Sequence, residues 1–331
     1  MKKFLIALLA ICMMLSLFAC GKKKTGGSPT EATKPEEDGI TYCPWELDAS
    51  AQAKKDGSIH YYFMASYGLF MSEKENHPDK WGDSCLIVFP SGETMLIDGG
   101  MEAYGPVLVQ NLQRLGVKKL DYVVMSHSHN DHCYGLLKPG GVFENFEVGQ
   151  IYWTGIACAY WEDVDLEAVC GEFGYPMQVL KKGDTLQFGE VSVEVLWPEA
   201  GLAGTPLNDT TEINNQSLVM RFDYKNHSSL FTGDLYAEAE AQVVELAGEK
   251  LDVDLLKVCH HGSPTSSSLL FLMAVRPTVA VATGYQDVTV EMEERFATVG
   301  GELLYDRYHG YVHVVSDGHT MTYDTHQTRA K

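Results

Sequence analysis

The chain has 331 residues, 45% of them apolar, which suits a soluble globular protein with a sizeable core, in one large domain or two small ones. Its 25 Lys and Arg against 45 Asp and Glu give a formal charge of −20. A chain this acidic, with no long Lys/Arg run in its folded part, is poorly matched to gripping a polyanion along its length, because nucleic-acid affinity rests on neutralising phosphates.

The N-terminus reads as a targeting segment. Lys2 and Lys3 precede an uncharged, mostly apolar run from Phe4 to Ala19, which fits a secretory signal better than a transmembrane anchor. The run ends Leu17-Phe18-Ala19-Cys20, which resembles a bacterial lipobox. Residues 1–19 are therefore expected to be cleaved, leaving Cys20 as the lipid attachment site on the extracellular face of the cell membrane. An ordinary cleaved signal or an uncleaved anchor is the alternative, and either still places the domain outside the cytoplasm. Residues 20–40 are polar and rich in Gly, Pro and charge, so they read as a disordered tether. The folded domain is expected over 41–331, with no internal repeat and no second composition to divide it.

Within that domain, Ser84–Phe89 and Thr94–Asp98 flank Pro90-Ser91-Gly92-Glu93 as a hairpin. Residues 106–115 have helical spacing and stop at Gly116, a helix C-terminus signal. The strand 120–125 runs into Ser126-His127-Ser128-His129-Asn130-Asp131-His132. Residues 151–153, 177–180, 185–188 and 191–196 read as a second set of strands, with turns at Gly183-Asp184 and Gly189-Glu190. Residues 217–222 and 229–232 form a hairpin around Lys225-Asn226. A strand from Asp254 leads to His260-His261-Gly262-Ser263. A helix over 267–274, a strand over 278–282, a helix over 289–299 and closing strands over 303–323 follow. This order fits an α/β fold of two sheets between outer helices, with any metals at one edge.

The run from His127 to His132 narrows the chemistry most. His127 and His129 are two apart, so an extended backbone leaving a strand points both rings the same way. Asp131 and His132 follow where the chain must turn, within reach of a second point. That layout suits two metal ions ~3.5–4 Å apart, each with open positions. A polar loop with chance histidines is the plainer reading. Two more strand tips weaken it: Ser229-Leu230-Phe231-Thr232-Gly233-Asp234 ends in a carboxylate, and the strand from Asp254 ends in paired histidines. A lone Asp reads as a turn former and paired histidines as a polar loop, but the three tips together do not.

His127-x-His129-x-Asp131-His132, Thr232-Gly233-Asp234 and His260-His261-Gly262-Ser263 resemble the metallo-β-lactamase superfamily, over residues 58–320. The branch most similar is the hydrolase domain attached to the competence-type DNA-uptake channel ComEC. That likeness rests on Phe231-Thr232-Gly233-Asp234 with Glu238 and Glu240, and on Leu255-Leu256-Lys257-Val258-x-His260-His261-Gly262-Ser263-x-Thr265-Ser266. The resemblance implies an αββα sandwich and two divalent ions, zinc by default for a His-rich site, with manganese suited to an oxygen-rich one. It implies that His127 and His129 hold one ion, that Asp131, His132 and His261 hold the other, and that Asp234 bridges them. Asp131 and His260 are the catalytic candidates, Asp131 through its metal and His260 as acid or oxyanion partner. His261 is preferred as ligand because it sits one step farther from the strand, and the reverse order stays open. Asp98 matches the residue that supports the metal loop from behind; shaping the Gly99-Gly100 turn is its alternative role. The superfamily usually has a further His between the first motif and Gly-Asp. Here that interval holds only His227, in the expected hairpin turn, and the corresponding region reads Ile213-Asn214-Asn215-Gln216-Ser217, so an Asn amide oxygen or a retained water takes that place.

Of eight cysteines, Cys12 leaves with the signal and Cys20 carries lipid. The other six show no zinc-ribbon or disulfide framework. Cys133 and Cys259 are expected near the metals as small buried residues rather than ligands. Trp153, Tyr160 and Trp161 line the site as a stacking or choline-binding surface, or pack in the core and rim. Three function classes follow: a surface phosphoester or phosphodiester hydrolase acting on nucleic acid, nucleotides or wall polymers; a lactonase or β-lactamase; or a non-catalytic surface binding protein. The paired-histidine segment favours the first, and the intact Asp131, Asp234 and His261 argue against the last.

Overall fold

The computed structural model describes residues 43–45, 56–65, 82–159, 166–284 and 288–326. The signal segment, Cys20, the tether, Tyr160 and Trp161 lie outside the described residues.

Strands alternate apolar and polar positions where one face is wet, and become apolar throughout where both faces are covered. The first sheet takes β1 (Ile59–Phe63), β2 (Cys85–Val88), β3 (Thr94–Ile97), β4 (Lys119–Val124), β5 (Glu147–Trp153) and β6 (Met177–Val179). The second takes β7 (Thr185–Phe188), β8 (Val191–Trp197), β9 (Val219–Tyr224), β10 (His227–Phe231), β11 (Leu255–Lys257), β12 (Val279–Ala282) and β13 (Glu302–Tyr305). The last two strands, β14 (Val312–Ser316) and β15 (Met321–Thr325), return to the first sheet, so the orders are β15-β14-β1-β2-β3-β4-β5-β6 and β13-β12-β11-β10-β9-β8-β7.

The inner faces meet in one core: Ile59, Tyr61 and Phe63 of β1 with Val312 and Val314 of β14 on one side, Val193, Met220 and Phe222 on the other. The outer face of the first sheet, with Leu86, Leu96 and Val123, packs under the helix Gly105–Arg114 through Leu108 and Leu112. That helix opens with Pro106 in its first turn, where the missing N–H costs nothing. The outer face of the second sheet, with Leu230, Leu256 and Ala280, is covered by the helices Ala237–Ala247, Leu269–Val275 and Val290–Val299. All residues of β11 and β12 are buried, as parallel strands covered on both faces require. The result is the αββα layering.

Three expectations need correcting. Strands β5 and β6 do not open the second sheet; they continue the first, parallel to β4, because Ile151 and Trp153 belong to its outer core. His227 is not in the hairpin turn but is the first residue of β10, paired with Tyr224, and its Nδ1 meets Ser316 Oγ at 2.5 Å. The stretch after His129 is more than a turn, since Asn130–Leu137 is helical.

Parallel pairing aligns strand ends. Strands β3 and β4 run parallel, as do β10, β11 and β12. Their C-terminal ends therefore deliver Asp98, the loop from Ser126, Asp234 and His260-His261 to one edge of the sandwich, where open α/β sheets place ligands.

Candidate metal centre

The first loop is built around Asp98, which follows β3 with φ 60°. Its Oδ1 accepts the Ser126 N–H at 2.7 Å, and its Oδ2 accepts from Ser126 Oγ at 2.7 Å and from His132 Nδ1 at 2.9 Å. With its Nδ1 proton held by Asp98, His132 turns Nε2 inward, where it is buried without a hydrogen-bond partner. The helix Asn130–Leu137 sits against the Gly99-Gly100 turn so closely that a Cβ on Gly135 would lie 1.9 Å from Gly99 O. Only glycine fits there, and that contact fixes how Asp131 and His132 enter.

Two groups of donor atoms converge. In the first, His127 Nε2 and His129 Nδ1 stand 3.0 Å apart, and two donors on one tetrahedral ion with bonds of ~2.0–2.1 Å stand about 3.4 Å apart. In the second, Asp234 Oδ2 lies 3.2 Å from both His132 Nε2 and His261 Nε2. Asp131 Oδ2 lies 3.2 Å from His261 Nε2 and 3.8 Å from His132 Nε2. Those four contacts, 3.2–3.8 Å long, have the spacing of neighbouring donors in one coordination shell. The rings of His127 and His132, 4.1 Å between centroids, join the two groups. Asp234 Oδ1 and Asn214 Oδ1 are buried without hydrogen-bond partners, and the Asn214 amide stands beside His129 and Tyr236. Buried, unpaired lone pairs are costly unless something fills the space between them. Nitrogen and oxygen donors of this kind suit a divalent cation.

The paired histidines separate. His260 and His261 both take left-handed backbone (φ 46° and 57°), at about 1–3 kcal/mol each, so adjacent rings diverge. His261 donates its Nδ1–H to Thr283 O at 2.8 Å and sends Nε2 into the four-atom group. His260 stays at the mouth, its side chain 21% exposed, with Nδ1 2.7 Å from Thr265 Oγ1 and Nε2 3.9 Å from Asp234 Oδ2. Its ring stacks on Tyr236 at 4.9 Å.

Residues 79–284 match the family model described as the metallo-β-lactamase superfamily. The chain belongs to that superfamily. It is similar to ComE operon protein 3 of Bacillus subtilis (strain 168), with 27% identity over 217 residues that cover 60% of this chain and 26% of that protein. It is also similar to competence protein ComA of Neisseria gonorrhoeae, with 30% identity over 225 residues, covering 66% of this chain and 29% of that protein. The chain thus spans about a quarter of the length of these curated relatives. Among solved structures it is similar to the metallo-β-lactamase fold protein YhfI from Bacillus subtilis, at 16% identity and a TM-score of 0.48, covering 75% of this chain and 96% of that one. As a member of this superfamily the chain is a metal-dependent hydrolase.

The superfamily's metal edge is electrostatically polarised. Burial opposes charge on Asp234, yet His261, His132 and His260 around it outweigh burial and hold it well below the usual carboxylate range. Asp131 is likewise held low against burial, by His132 and His261. Burial also opposes charge on His261, but Asp234 and Asp131 push it up to about 10. His127 goes the other way: burial, with His132 and His129 beside it, keeps it well below its ordinary value and therefore neutral, the form that can donate a lone pair.

Some neighbours escape a sequence reading. Asp83, with His132, Asp234 and His261, offers ligand atoms mutually within 4.8 Å. Thr265 and Tyr236 hold the His260 ring. Lys257, in the apolar run Leu255-Leu256-Lys257-Val258, is buried, and a charge inside an apolar strand is the one signal that demands a partner. Cys133 donates to His129 O at 2.9 Å, and burial pushes it and Cys259 well above the ordinary thiol value, so both stay protonated. Trp153 is packed in the core and does not line the site.

Proposed function

We propose that the protein is a dinuclear phosphoester or phosphodiester hydrolase, held by lipid on Cys20 at the outer face of the cell membrane. The observation that carries the catalytic part is the division of the donors into two convergent groups, with Asp234 in contact with the second and acting electrostatically on His127 and His129 of the first, beside a half-open His260. His127, His129 and the Asn214 amide oxygen would hold one divalent ion; Asp131, His132 and His261 would hold the other; Asp234 would face both. Zinc suits the imidazoles and manganese the oxygens. Such ions, when bound, supply Lewis acidity toward a phosphoryl oxygen and acidify water.

The chain's own residues do the rest. Asp98 and Thr283 fix the tautomers of His132 and His261. Thr265 holds His260 Nδ1, so Nε2 faces the centre and can give its proton to the leaving oxygen. Asp131 acts through the ion it holds. The branch resembled in sequence belongs to a DNA-uptake channel, and one matched relative is named a competence protein, which favours phosphodiester chemistry. The charge of −20 favours a nucleotide, a short strand end or a wall polymer over a long duplex.

Full-length protein in detergent, loaded with zinc or manganese, should turn over bis-p-nitrophenyl phosphate and leave nitrocefin and a simple lactone untouched. Turnover of nitrocefin or lactone instead would move the reading to that class. Metal binding with no turnover of any of them would leave a surface binding protein. Cys20→Ser should release the protein from membranes; retention after a high-salt wash would remove the lipid anchor from the proposal.

A further inference from the structure

Beneath the centre lies a buried ion pair that belongs to neither donor group. Lys257, the last residue of β11, is 3% exposed; its Nζ pairs with Asp83 Oδ2 and donates to Val258 O at 2.9 Å. Asp83 stands before β2 on the opposite sheet, so the pair spans both sheets. Asp83 Oδ1 accepts from Thr283 Oγ1 at 2.6 Å, and the Asp83 N–H donates to Asp131 O at 3.2 Å. Thr283 O in turn takes the His261 Nδ1–H. Asp83 Oδ2 is 3.9 Å from His261 Nδ1, the nitrogen turned away from the donor group. Both Asp83 oxygens are thus engaged outside the centre, although the carboxylate is close enough to join it.

We propose that Asp83 and Lys257 are positioning residues for one half of the centre. Asp83 fixes Thr283 and the Asp131 backbone, Thr283 fixes the His261 tautomer, and Lys257 neutralises Asp83 so that it does not turn into the donor group. The effect is one-sided. His127 is carried by the loop that Asp98 grips through Ser126, whereas the bonds of Asp83 and Thr283 run to the Asp131 carbonyl and His261 Nδ1. A purely structural pair behaves differently, because a buried ion pair can be replaced by apolar residues of similar size without loss of stability. Stability and metal affinity therefore separate the two roles.

The inference rests on the two-ion reading, and the test keeps them apart. Full-length protein in detergent is titrated with Zn²⁺ against a competing chelator, and the thermal midpoint of the metal-free form is measured alongside. In a His127→Ala/His129→Ala background, which leaves only the Asp131/His132/His261 half, Asp83→Asn and Lys257→Met should each weaken Zn²⁺ binding ~10–100-fold, the range for partners that orient ligands. In a His261→Ala background, Asp83→Asn should leave the remaining affinity unchanged. Lys257→Met/Asp83→Leu should regain the metal-free thermal midpoint without regaining affinity, and it decides the matter even where a single variant fails to fold. Unchanged affinity of Asp83→Asn in the His127→Ala/His129→Ala background, an equal loss of affinity in the His261→Ala background, or restored affinity in the apolar pair overturns the positioning role alone. Wild-type protein that binds no Zn²⁺ or Mn²⁺ overturns the metal-centre reading and this inference with it.

Discussion

Two histidine clusters in this molecule have similar ingredients and opposite designs. At the metal edge, imidazole nitrogens and carboxylate oxygens from three loops point at common centres, and His132 Nε2, Asp234 Oδ1 and Asn214 Oδ1 are left without hydrogen bonds. On the outer face of the first sheet, His60 of β1 and His313 of β14 form a line instead: Asp56 Oδ2 to His60 Nε2 at 3.1 Å, then His60 Nδ1 to His313 Nε2 at 3.1 Å. The His313 ring stacks on Tyr62 at 4.0 Å, with Trp45 5.4 Å away. There the polar atoms satisfy one another and the rings serve as packing. Histidines beside carboxylates do not mark a site; convergence with unsatisfied lone pairs does.

The largest effect that would break this contrast is at Asp234. Asp234→Ala should reduce phosphodiester turnover to background and lower metal content at both positions, if one carboxylate serves both proposed ions. Elemental analysis with turnover on the same sample checks it, and a variant that keeps both ions would end the idea of a shared ligand. Next comes the pair at β11. His260→Ala should keep both ions and slow turnover ~10²–10⁴-fold, as loss of a proton donor does. His261→Ala should lose an ion. The opposite pattern would mean that the mouth and the interior have been assigned the wrong way round.

A smaller effect concerns the unpaired Oδ1 of Asn214. Asn214 is 1% exposed and is the last residue of a short helix, Thr210–Asn214, capped by Asp209 accepting from the Glu212 N–H. If its Oδ1 is a ligand, Asn214→Ala should weaken the His127/His129 position by about tenfold and spare the other. Asn214→His, which supplies the imidazole usual in the superfamily, should tighten it. Competition titration reads both, and two unaltered affinities would leave Asn214 as packing.

Much of the metal edge is legible in the sequence because its His and Asp donors lie on segments that leave strand tips, and strand tips are marked by apolar runs that stop at Gly, His or Asp. The layering is legible for the same reason. What escapes is non-local. Nothing in Ile151-Tyr152-Trp153 says which sheet it joins, since β-strand patterning encodes a buried face and not a neighbour. The β1–β14 pairing joins the two ends of the described chain, and neither strand carries a turn that would announce it. The helix Asn130–Leu137 is obscured by Gly135, a poor helix former until its contact with Gly99 is seen. Lys257 is visible as an anomaly, but its partner Asp83 lies far away in the sequence, just before a strand of the other sheet.

The smallest effect tests the outer cluster by its response to acid. Burial drives His313 down to about 3 and lowers His60, where Asp56 works against it. A base whose folded value lies below its unfolded value of ~6.5 is protonated first in the unfolded chain. The unfolded state therefore binds more protons as pH falls below ~6.5, so the stability contributed by these neutral rings is complete above that pH and is lost on the way down toward the folded value. Between pH 7 and 5.5 the loss from His313 should be about 1 kcal/mol, or a few degrees in thermal midpoint, and His60 adds to it in the same direction. In the metal-free protein His261 has the opposite sign: raised to about 10, its contribution is complete below ~6.5 and is lost as pH rises through the folded value. His313→Phe, which keeps a ring against Tyr62, should flatten the acid slope and leave the slope above pH 7 intact. An acid slope unchanged in that variant would mean that the Asp56–His60–His313 line does not set it, and the contrast between a packed cluster and a converging one would lose its thermodynamic side.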